Sequence, residues 1–257
     1  MIMKMKILLA GLVLSLSSFV IHASDIEREK RLASEIVDTI IDGDAEFLKA
    51  GDHEFLALYT EAEEANGAVI IMHGRGFHPD WSDVANPLRV GLAEQGWNTL
   101  SIQMPVLDKE AKYYDYVKIF PESFPRIDAA IDFLKEKDNK KIVLIAHSCS
   151  AHMAMAWVDA GHMRDLGGLI GIGMGAVDYK QPMLKPFPLD KIKVPVLDIF
   201  GQEEYPAVKK GAPERLEAIK KAGNAKSSQL VVPNANHYFT DQGEALLNVV
   251  TPWLNEL

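Results

Sequence analysis

The sequence predicts an α/β protein in which a mainly parallel, doubly wound sheet carries helices on both faces. Short apolar segments of strand length alternate with longer amphipathic segments through most of the chain. The clearest example is Lys141 to Ala156, where the apolar residues Ile142 to Ala146 precede a polar corner and then good helix formers. A chain of 257 residues with 48% hydrophobic content can bury the core that such a sheet needs.

Residues 1–23 have the pattern of a secretory signal peptide. Lys4 and Lys6 precede an apolar run from Ile7 to Ile21, which is shorter than the roughly 20 apolar residues that span a bilayer. An uncleaved anchor is the alternative. We expect cleavage to leave a bacterial protein of residues 24–257 that is exported to the periplasm or secreted and has no stable membrane span. This part contains no repeat or linker, so we predict a single domain.

Composition excludes several classes of partner. The formal charge of −9 disfavours nucleic acid and anionic membrane, because both are polyanions. Cys149 is the only cysteine, so no disulfide can form within the chain. No group of histidines and acids has convincing zinc-ligand spacing. We expect neither a metal nor an organic cofactor, and the composition leaves the oligomeric state open.

The N-terminal part of the predicted domain contains a helix and a β-hairpin. Between Asp25 and Ile41, apolar residues recur at helical spacing among charged ones. Ala45 to Lys49 and His53 to Tyr59 are separated by a short turn and predict two antiparallel arms, of which the first has the weaker pattern. We expect this hairpin to form the edge of the larger sheet.

Strands and helices alternate over the remainder of the chain. The further predicted strands are Ala68 to Met72, Trp97 to Met104, Ile142 to Ala146, Gly168 to Met174, Val194 to Phe200 and Gln229 to Val232. The predicted helices are Trp81 to Gln95, Glu122 to Lys137, the segment after the polar corner, Pro213 to Lys221 and Asp241 to Leu254. Right-handed crossovers place the loops after the strand C-termini along one edge, where a ligand crevice forms.

Three residues suited to nucleophilic catalysis each follow the C-terminal end of a predicted strand: Ser148, Glu204 and His237. A serine hydroxyl is a weak nucleophile at neutral pH and needs a base such as histidine within hydrogen-bond reach. The base needs a carboxylate that fixes its tautomer and stabilises its imidazolium form. The sequence therefore predicts a Ser-His-Glu triad at this edge of the sheet.

Other residues compete for two of these roles. Glu203 and Asp178 are alternative acids, and Asp198, inside a predicted strand, is a weaker one. Cys149 is an alternative nucleophile. Centring the corner on Cys149 would place the bulky His147 two residues before the apex, so we favour Ser148.

The pentapeptide Ala146-His147-Ser148-Cys149-Ser150 resembles the G-x-S-x-G nucleophile elbow of the α/β-hydrolase superfamily, with Ala and Ser in place of the two glycines. The order Ser, acid, His is also that of the superfamily. The phrases HGRGFHPDW, GWNTLSIQMP and VLDIFGQEEYPAV are similar to an exported bacterial α/β-hydrolase-like family of unknown function. This resemblance implies an α/β-hydrolase fold over the whole mature chain.

The resemblance also implies roles for individual residues. Ser148 would be the nucleophile, His237 the base and then the acid, and Glu204 the group that orients it. His73-Gly74-Arg75-Gly76 resembles the oxyanion loop of the superfamily, so the N–H groups of Arg75 and Cys149 would form the oxyanion hole. The implied activity is hydrolysis of small-molecule carboxylic esters through an acyl-serine intermediate.

Two alternatives stay open at this point. The same triad serves a thioesterase or peptidase. The other hypothesis is a non-catalytic protein of the cell envelope that binds a ligand or partner, because fold alone does not settle function. Two roles are open for the aromatic residues at positions 113, 114, 116 and 120: we expect them either to line a substrate pocket or to pack within a loop. Tyr179 to Leu189, with three prolines, predicts a modest flap rather than a lid domain.

Overall fold

The computed structural model describes residues 23–257. The predicted signal peptide, residues 1–23, therefore lies outside the described residues, apart from its last position. Within the described part of the chain, no helix is long and apolar enough to cross a membrane.

Eight strands form one mixed sheet in residues 23–257. They are β1 (Asp44–Ala50), β2 (His53–Thr60), β3 (Ala68–Met72), β4 (Asn98–Ile102), β5 (Ile142–His147), β6 (Gly168–Ile172), β7 (Val196–Glu203) and β8 (Ser228–Asn236). The spatial order is β1-β2-β4-β3-β5-β6-β7-β8. β2 pairs antiparallel with β1 and β4, whereas all other pairs are parallel. The predicted parallel sheet with an antiparallel hairpin at its edge is confirmed.

Helices cover both faces of this sheet. They are α1 (Ile26–Ile36), α2 (Ala85–Glu94), α3 (Tyr113–Val117), α4 (Phe124–Glu136), α5 (Cys149–Asp159), α6 (Pro206–Ala222) and α7 (Gly243–Asn255). Helices α4 and α5 pack in the core on one face, while α2 and α7 pack in the core on the other. The central strand β5 supplies Leu144 to the first core and Val143 and Ile145 to the second, and all three side chains are fully buried. This double burial explains why β5 reads as an uninterrupted apolar run.

Helix α6 begins seven residues earlier than the sequence predicts. We expected Pro213 at the first helical position, but the structure places Pro206 there and Pro213 inside the helix. Proline fits the first turn without loss, whereas an internal proline removes one backbone hydrogen bond. The apolar stripe of Val208, Ala212 and Ile219 is buried against the domain, and this packing offsets the missing bond.

Strands β7 and β8 both extend beyond their predicted ends. β8 continues through Pro233 to Asn236, which is possible because β8 is an edge strand and needs no N–H on its outer side. β7 continues to Glu203, which pairs with Asn236 after a register shift. Since these neighbouring strands are parallel, the next residues, Glu204 and His237, leave the sheet side by side.

Candidate active site

Ser148 lies at the apex of the turn between β5 and α5. Its backbone has φ 56° and ψ −115°, and its N–H donates to the carbonyl of Ile172 at 2.8 Å. A positive φ is unfavourable for a residue with a side chain and costs about 1–3 kcal/mol, so it persists where the surroundings enforce it. Ala146 and Ser150 on either side are almost fully buried, which explains why both must be small.

A continuous hydrogen-bond chain connects Ser148, His237 and Glu204. The Ser148 Oγ lies 2.7 Å from His237 Nε2, and His237 Nδ1 lies 2.7 Å from Glu204 Oε1. Because Nδ1 faces a carboxylate, it carries the ring proton and leaves Nε2 free to accept from the serine hydroxyl. The N–H of Tyr205 donates to the same carboxylate oxygen at 2.7 Å and fixes its position. Glu204 and His237 are each 3% exposed.

The structure places the competing acids elsewhere. Glu203 is an exposed residue at the end of β7. Asp198 is fully buried within β7 and accepts from the Nε of Arg215 at 2.7 Å. Burial raises the pKa of Asp198, and the Arg215 guanidinium opposes that rise. Asp178 pairs with Arg75, so Glu204 is the acid that the fold brings to His237.

The Cys149 thiol lies beside Ser148 but is poorly suited to nucleophilic attack. Its side chain is buried, and this burial raises the pKa of the thiol to about 12, although the Arg75 guanidinium favours the thiolate. A thiol with such a pKa stays protonated at neutral pH, and only the thiolate is a good nucleophile. The geometry therefore favours Ser148 over Cys149.

The predicted oxyanion loop is a tight turn directly after β3. The N–H of Phe77 donates to the carbonyl of Gly74 at 3.3 Å, and Gly76 has φ 75°, as the third residue of a type II turn requires. Arg75 lies in the second position of this turn, and Cys149 lies at the first position of α5, where the N–H has no carbonyl one helical turn earlier. Both residues line the same cavity as Ser148.

The side chain of Ser150 ties the elbow to the oxyanion loop. Its Oγ donates to the carbonyl of His73. The Nε2 of His73 accepts the N–H of Met104 at 2.9 Å, so its Nδ1 carries the proton and donates to the carbonyl of Gly74 at 2.7 Å. From the sequence we interpreted Ser150 only as a small residue. The hydroxyl that distinguishes it from glycine was the available signal for this second role.

His147 is a neighbour of the triad rather than a second base. Its Nε2 lies 3.0 Å from the carbonyl of His237, to which it donates, and its ring is 5.4 Å from the His237 ring. His147 thereby holds the backbone of His237 in place.

Gly173 occupies a position beside the triad that sequence reasoning missed. It follows β6 with φ 62°, and its N–H donates to the carbonyl of Ile199 at 2.8 Å. A Cβ at this position would lie 2.9 Å from Cε1 and 3.0 Å from Nδ1 of His237, and 3.2 Å from Oε2 of Glu204. Any side chain here would push the imidazole and the carboxylate out of place.

Gly173→Ala is expected to lower by about 100-fold the kcat of any reaction that uses the Ser148–His237–Glu204 chain, because misplacing a reacting group by up to an ångström has effects of this size. The strained φ is expected to lower the free energy of unfolding by about 1–3 kcal/mol. Gly51→Ala is the matched control: Gly51 has φ 66° in the β1–β2 turn, with no atom within 4 Å of the added Cβ. Steady-state kinetics and urea unfolding of both variants check this. An equal kcat in the two variants would contradict it.

Three buried histidines make the stability of the fold depend on pH. Burial lowers the pKa of His73 and of His147 to about 3 and that of His152 to about 4. In the unfolded chain these groups titrate near pH 6.5, so below that pH the unfolded state binds more protons. Their contribution to stability is complete above about pH 6.5. It is lost as the pH falls towards 4, by up to about 1.4 kcal/mol per histidine per pH unit.

We expect the free energy of unfolding in urea to fall steeply between about pH 6.5 and 4.5 for this reason. His152 donates from Nε2 to the carbonyl of Ala176 at 2.9 Å. The variant His152→Gln keeps an N–H donor for that carbonyl and removes one titrating group, so its slope with pH should be shallower by up to about 1.4 kcal/mol per unit. Equal slopes for the variant and the unaltered protein would show that burial of His152 does not cause the pH dependence.

The cavity in front of Ser148 has a volume of about 610 Å³. Aromatic rings form much of its wall; they belong to Phe77, Tyr113, Tyr179, Tyr205 and Tyr238. The remaining lining residues, beyond the candidate site residues already described, are Ala176, Val177, Asp178, Pro206 and Ala207. A cavity of this size accommodates a small organic molecule.

Of the four aromatic residues that the sequence suggested for a pocket, Tyr113 lines the cavity. Tyr116 is buried, with its ring 5.9 Å from the Arg75 guanidinium, and Phe120 lies in the core. The predicted flap begins with the cavity residue Tyr179, whose side chain is exposed. In the described part of the chain, no group of three or more His, Cys, Asp or Glu side chains is arranged to hold a metal ion.

The architecture places the protein in the α/β-hydrolase fold. The chain belongs to the family of proteins of unknown function called DUF3530, whose model matches residues 21–122 and 116–256. This agrees with the family resemblance in the sequence. A search of curated proteins found no significant match.

Solved structures with the same fold cover most of the chain. The esterase Pf2001 from Pyrococcus furiosus has a TM-score of 0.65 at 17% identity, covering 88% of this chain and 94% of the esterase. Est1E from Butyrivibrio proteoclasticus has a TM-score of 0.64 at 16% identity, covering 82% and 98% of the two chains. An alpha-beta serine hydrolase homologue from Coxiella burnetii has a TM-score of 0.62 at 15% identity, covering 83% and 98%. At these identities the likeness establishes the fold.

Proposed function

We propose that this protein is a serine hydrolase that cleaves carboxylic esters through an acyl-serine intermediate. The observation that carries the proposal is the hydrogen-bond chain from Ser148 through His237 to Glu204, at 2.7 Å for each link. Two buried titratable groups aligned on a hydroxyl that faces a cavity are the parts that activation of a serine requires. The names of two structural neighbours, an esterase and a serine hydrolase homologue, support the same chemistry.

In the first step, Ser148 Oγ attacks the ester carbonyl while His237 Nε2 accepts its proton. The negative charge that develops on the carbonyl oxygen is stabilised by the N–H groups of Arg75 and Cys149. Glu204 stabilises the imidazolium form of His237. The imidazolium then gives its proton to the leaving alcohol, and the acyl group stays on Ser148.

In the second step, water takes the place of the alcohol. His237 accepts a proton from the water, which attacks the acyl-serine, and then returns that proton to Ser148 Oγ. The products are a carboxylic acid and the free enzyme, so each turnover consumes one ester and one water. We further propose, from the signal-like N-terminus, that this reaction takes place outside the cytoplasm.

The test is a panel of matched acetyl and butyryl esters, thioesters and anilides, assayed with the purified protein at neutral pH. The proposal predicts turnover of the esters, with kcat/KM reaching at least about 10⁴ M⁻¹s⁻¹ for the preferred ones. Turnover of the thioesters alone or the anilides alone would favour a thioesterase or a peptidase. Binding of the esters without turnover would favour the non-catalytic alternative.

A further inference from the structure

Two aromatic rings lie beside His237 at the cavity, and a third lies beside one of these two. The Tyr205 and Tyr238 rings have centroids 4.5 Å and 5.2 Å from that of His237, and the Phe77 ring lies 6.0 Å from the Tyr238 ring. They come from three different loops, after β3, β7 and β8. We call Phe77, Tyr205 and Tyr238 the aromatic cluster. All three line the cavity, as does His237.

The aromatic cluster is held in place although part of its surface is open to solvent. The Tyr205 hydroxyl donates to that of Tyr238 at 2.9 Å, and the Phe77 ring stacks on Trp81 with centroids 3.9 Å apart and planes within 5°. Tyr205 and Tyr238 are nevertheless 41% and 40% exposed as whole residues. An exposed apolar patch in a concave site is typical of a surface that a ligand covers.

The position of His237 decides which part of an ester meets these rings. Its Nε2 must protonate the oxygen of the leaving alcohol, so that alcohol has to lie beside the imidazole. The rings of Tyr205 and Tyr238 are the ones next to the imidazole. The aromatic cluster therefore forms the leaving-group side of the cavity.

Charge narrows the class of leaving group. Among the described residues that line the cavity, the only Arg, Lys, Asp or Glu side chains are those of Arg75 and Asp178. They form an ion pair with each other, in which Nη2 of Arg75 lies 3.2 Å from Oδ1 of Asp178. A charged leaving group would find no free partner of opposite charge here. A neutral, planar group instead gains offset or edge-to-face contacts with the rings.

We propose that the preferred substrates are esters of uncharged aromatic alcohols, whose ring packs against the aromatic cluster. This inference rests on the proposed ester hydrolysis and specifies the leaving group. It is tested with benzyl acetate and cyclohexylmethyl acetate, which deliver the same acetyl group and differ in the planarity of a six-membered ring. For the unaltered protein we expect kcat/KM to be about tenfold higher for the benzyl ester, since each favourable ring contact is worth a few-fold.

Three variants test whether the aromatic cluster causes the preference for the benzyl ester. In Tyr238→Leu, the kcat/KM for benzyl acetate divided by that for cyclohexylmethyl acetate is expected to fall close to one. Tyr238→Phe keeps the ring, so its ratio is expected to stay close to that of the unaltered protein. Phe47→Leu removes an exposed aromatic ring from β1, outside this cavity, and the ratio should not change. Because the ratio compares two esters on one variant, a general loss of activity does not affect it.

The outcomes separate this inference from the proposed function. Turnover of both esters with a ratio near one would overturn the aromatic preference and leave the hydrolase proposal standing. A tenfold ratio that survives Tyr238→Leu would overturn its assignment to the aromatic cluster. Hydrolysis of neither ester, together with no reaction of the protein with a fluorophosphonate, would overturn both proposals.

Discussion

Ser148→Ala is expected to lower kcat for ester hydrolysis by about four to six orders of magnitude. The substitution removes the atom on which the proposed acyl-enzyme forms, and the rate that is left is expected to come from substrate binding and the proposed oxyanion donors alone. The fold should persist, because Ser148 contributes one hydrogen bond from its side chain, to His237, and its N–H to Ile172 is retained. Kinetics with a preferred ester and circular dichroism of the variant measure both expectations.

Cys149→Ala is the matched control for this substitution. It changes the neighbouring residue, keeps the backbone N–H that we assign to the oxyanion hole, and removes a buried thiol. We expect kcat within a few-fold of the unaltered protein. Full activity of Ser148→Ala together with loss of activity in Cys149→Ala would mean that the thiol is the nucleophile.

Glu204→Gln is expected to lower kcat by about three to four orders of magnitude. Glutamine has a similar shape but no charge, so it can neither stabilise the imidazolium nor hold the proton on Nδ1 as a carboxylate does. Glu204 Oε1 is the atom that contacts Nδ1, at 2.7 Å. The expected effect falls mainly on kcat, because the carboxylate is buried behind His237 and the cavity wall does not include it.

Glu203→Gln tests the assignment at the adjacent carboxylate. Glu203 is exposed and ends β7, so its neutral variant should keep kcat within about twofold. Glu203→Gln and Glu204→Gln make the same chemical change at neighbouring positions, so their kcat values can be compared directly. A large loss in Glu203→Gln with little loss in Glu204→Gln would show that the acid is the neighbouring residue.

Much of the sheet could be predicted because buried parallel strands have a strong local signature. The sequence predicts β3 with the bounds that the structure shows, and β5 to within one residue, since both are continuous apolar runs that end at a histidine. The candidate triad could be found for a related reason: each member follows the C-terminal end of a predicted strand, and parallel strands end at one edge of the sheet. An apolar run and the residues that follow it are properties of short segments, so they can be recognised in the sequence alone.

Features that depend on contacts between distant segments could not be predicted in this way. The sequence predicts that a helix begins at Pro213, whereas in the structure α6 begins at Pro206 and continues through Pro213. Gly173 is separated by tens of residues from Glu204 and His237, so nothing in its sequence neighbourhood indicates that a Cβ would strike them. The same holds for the hydrogen bond from Ser150 to His73.

The central claim is that Ser148 is an activated nucleophile. The most direct measurement is the intact mass of the purified protein after exposure to a fluorophosphonate, with Ser148→Ala and Cys149→Ala treated in parallel. We expect one covalent adduct on the unaltered protein and on Cys149→Ala, and none on Ser148→Ala, because only a serine with a working base reacts. An unmodified but well-folded protein, or an adduct lost only in Cys149→Ala, would contradict the claim.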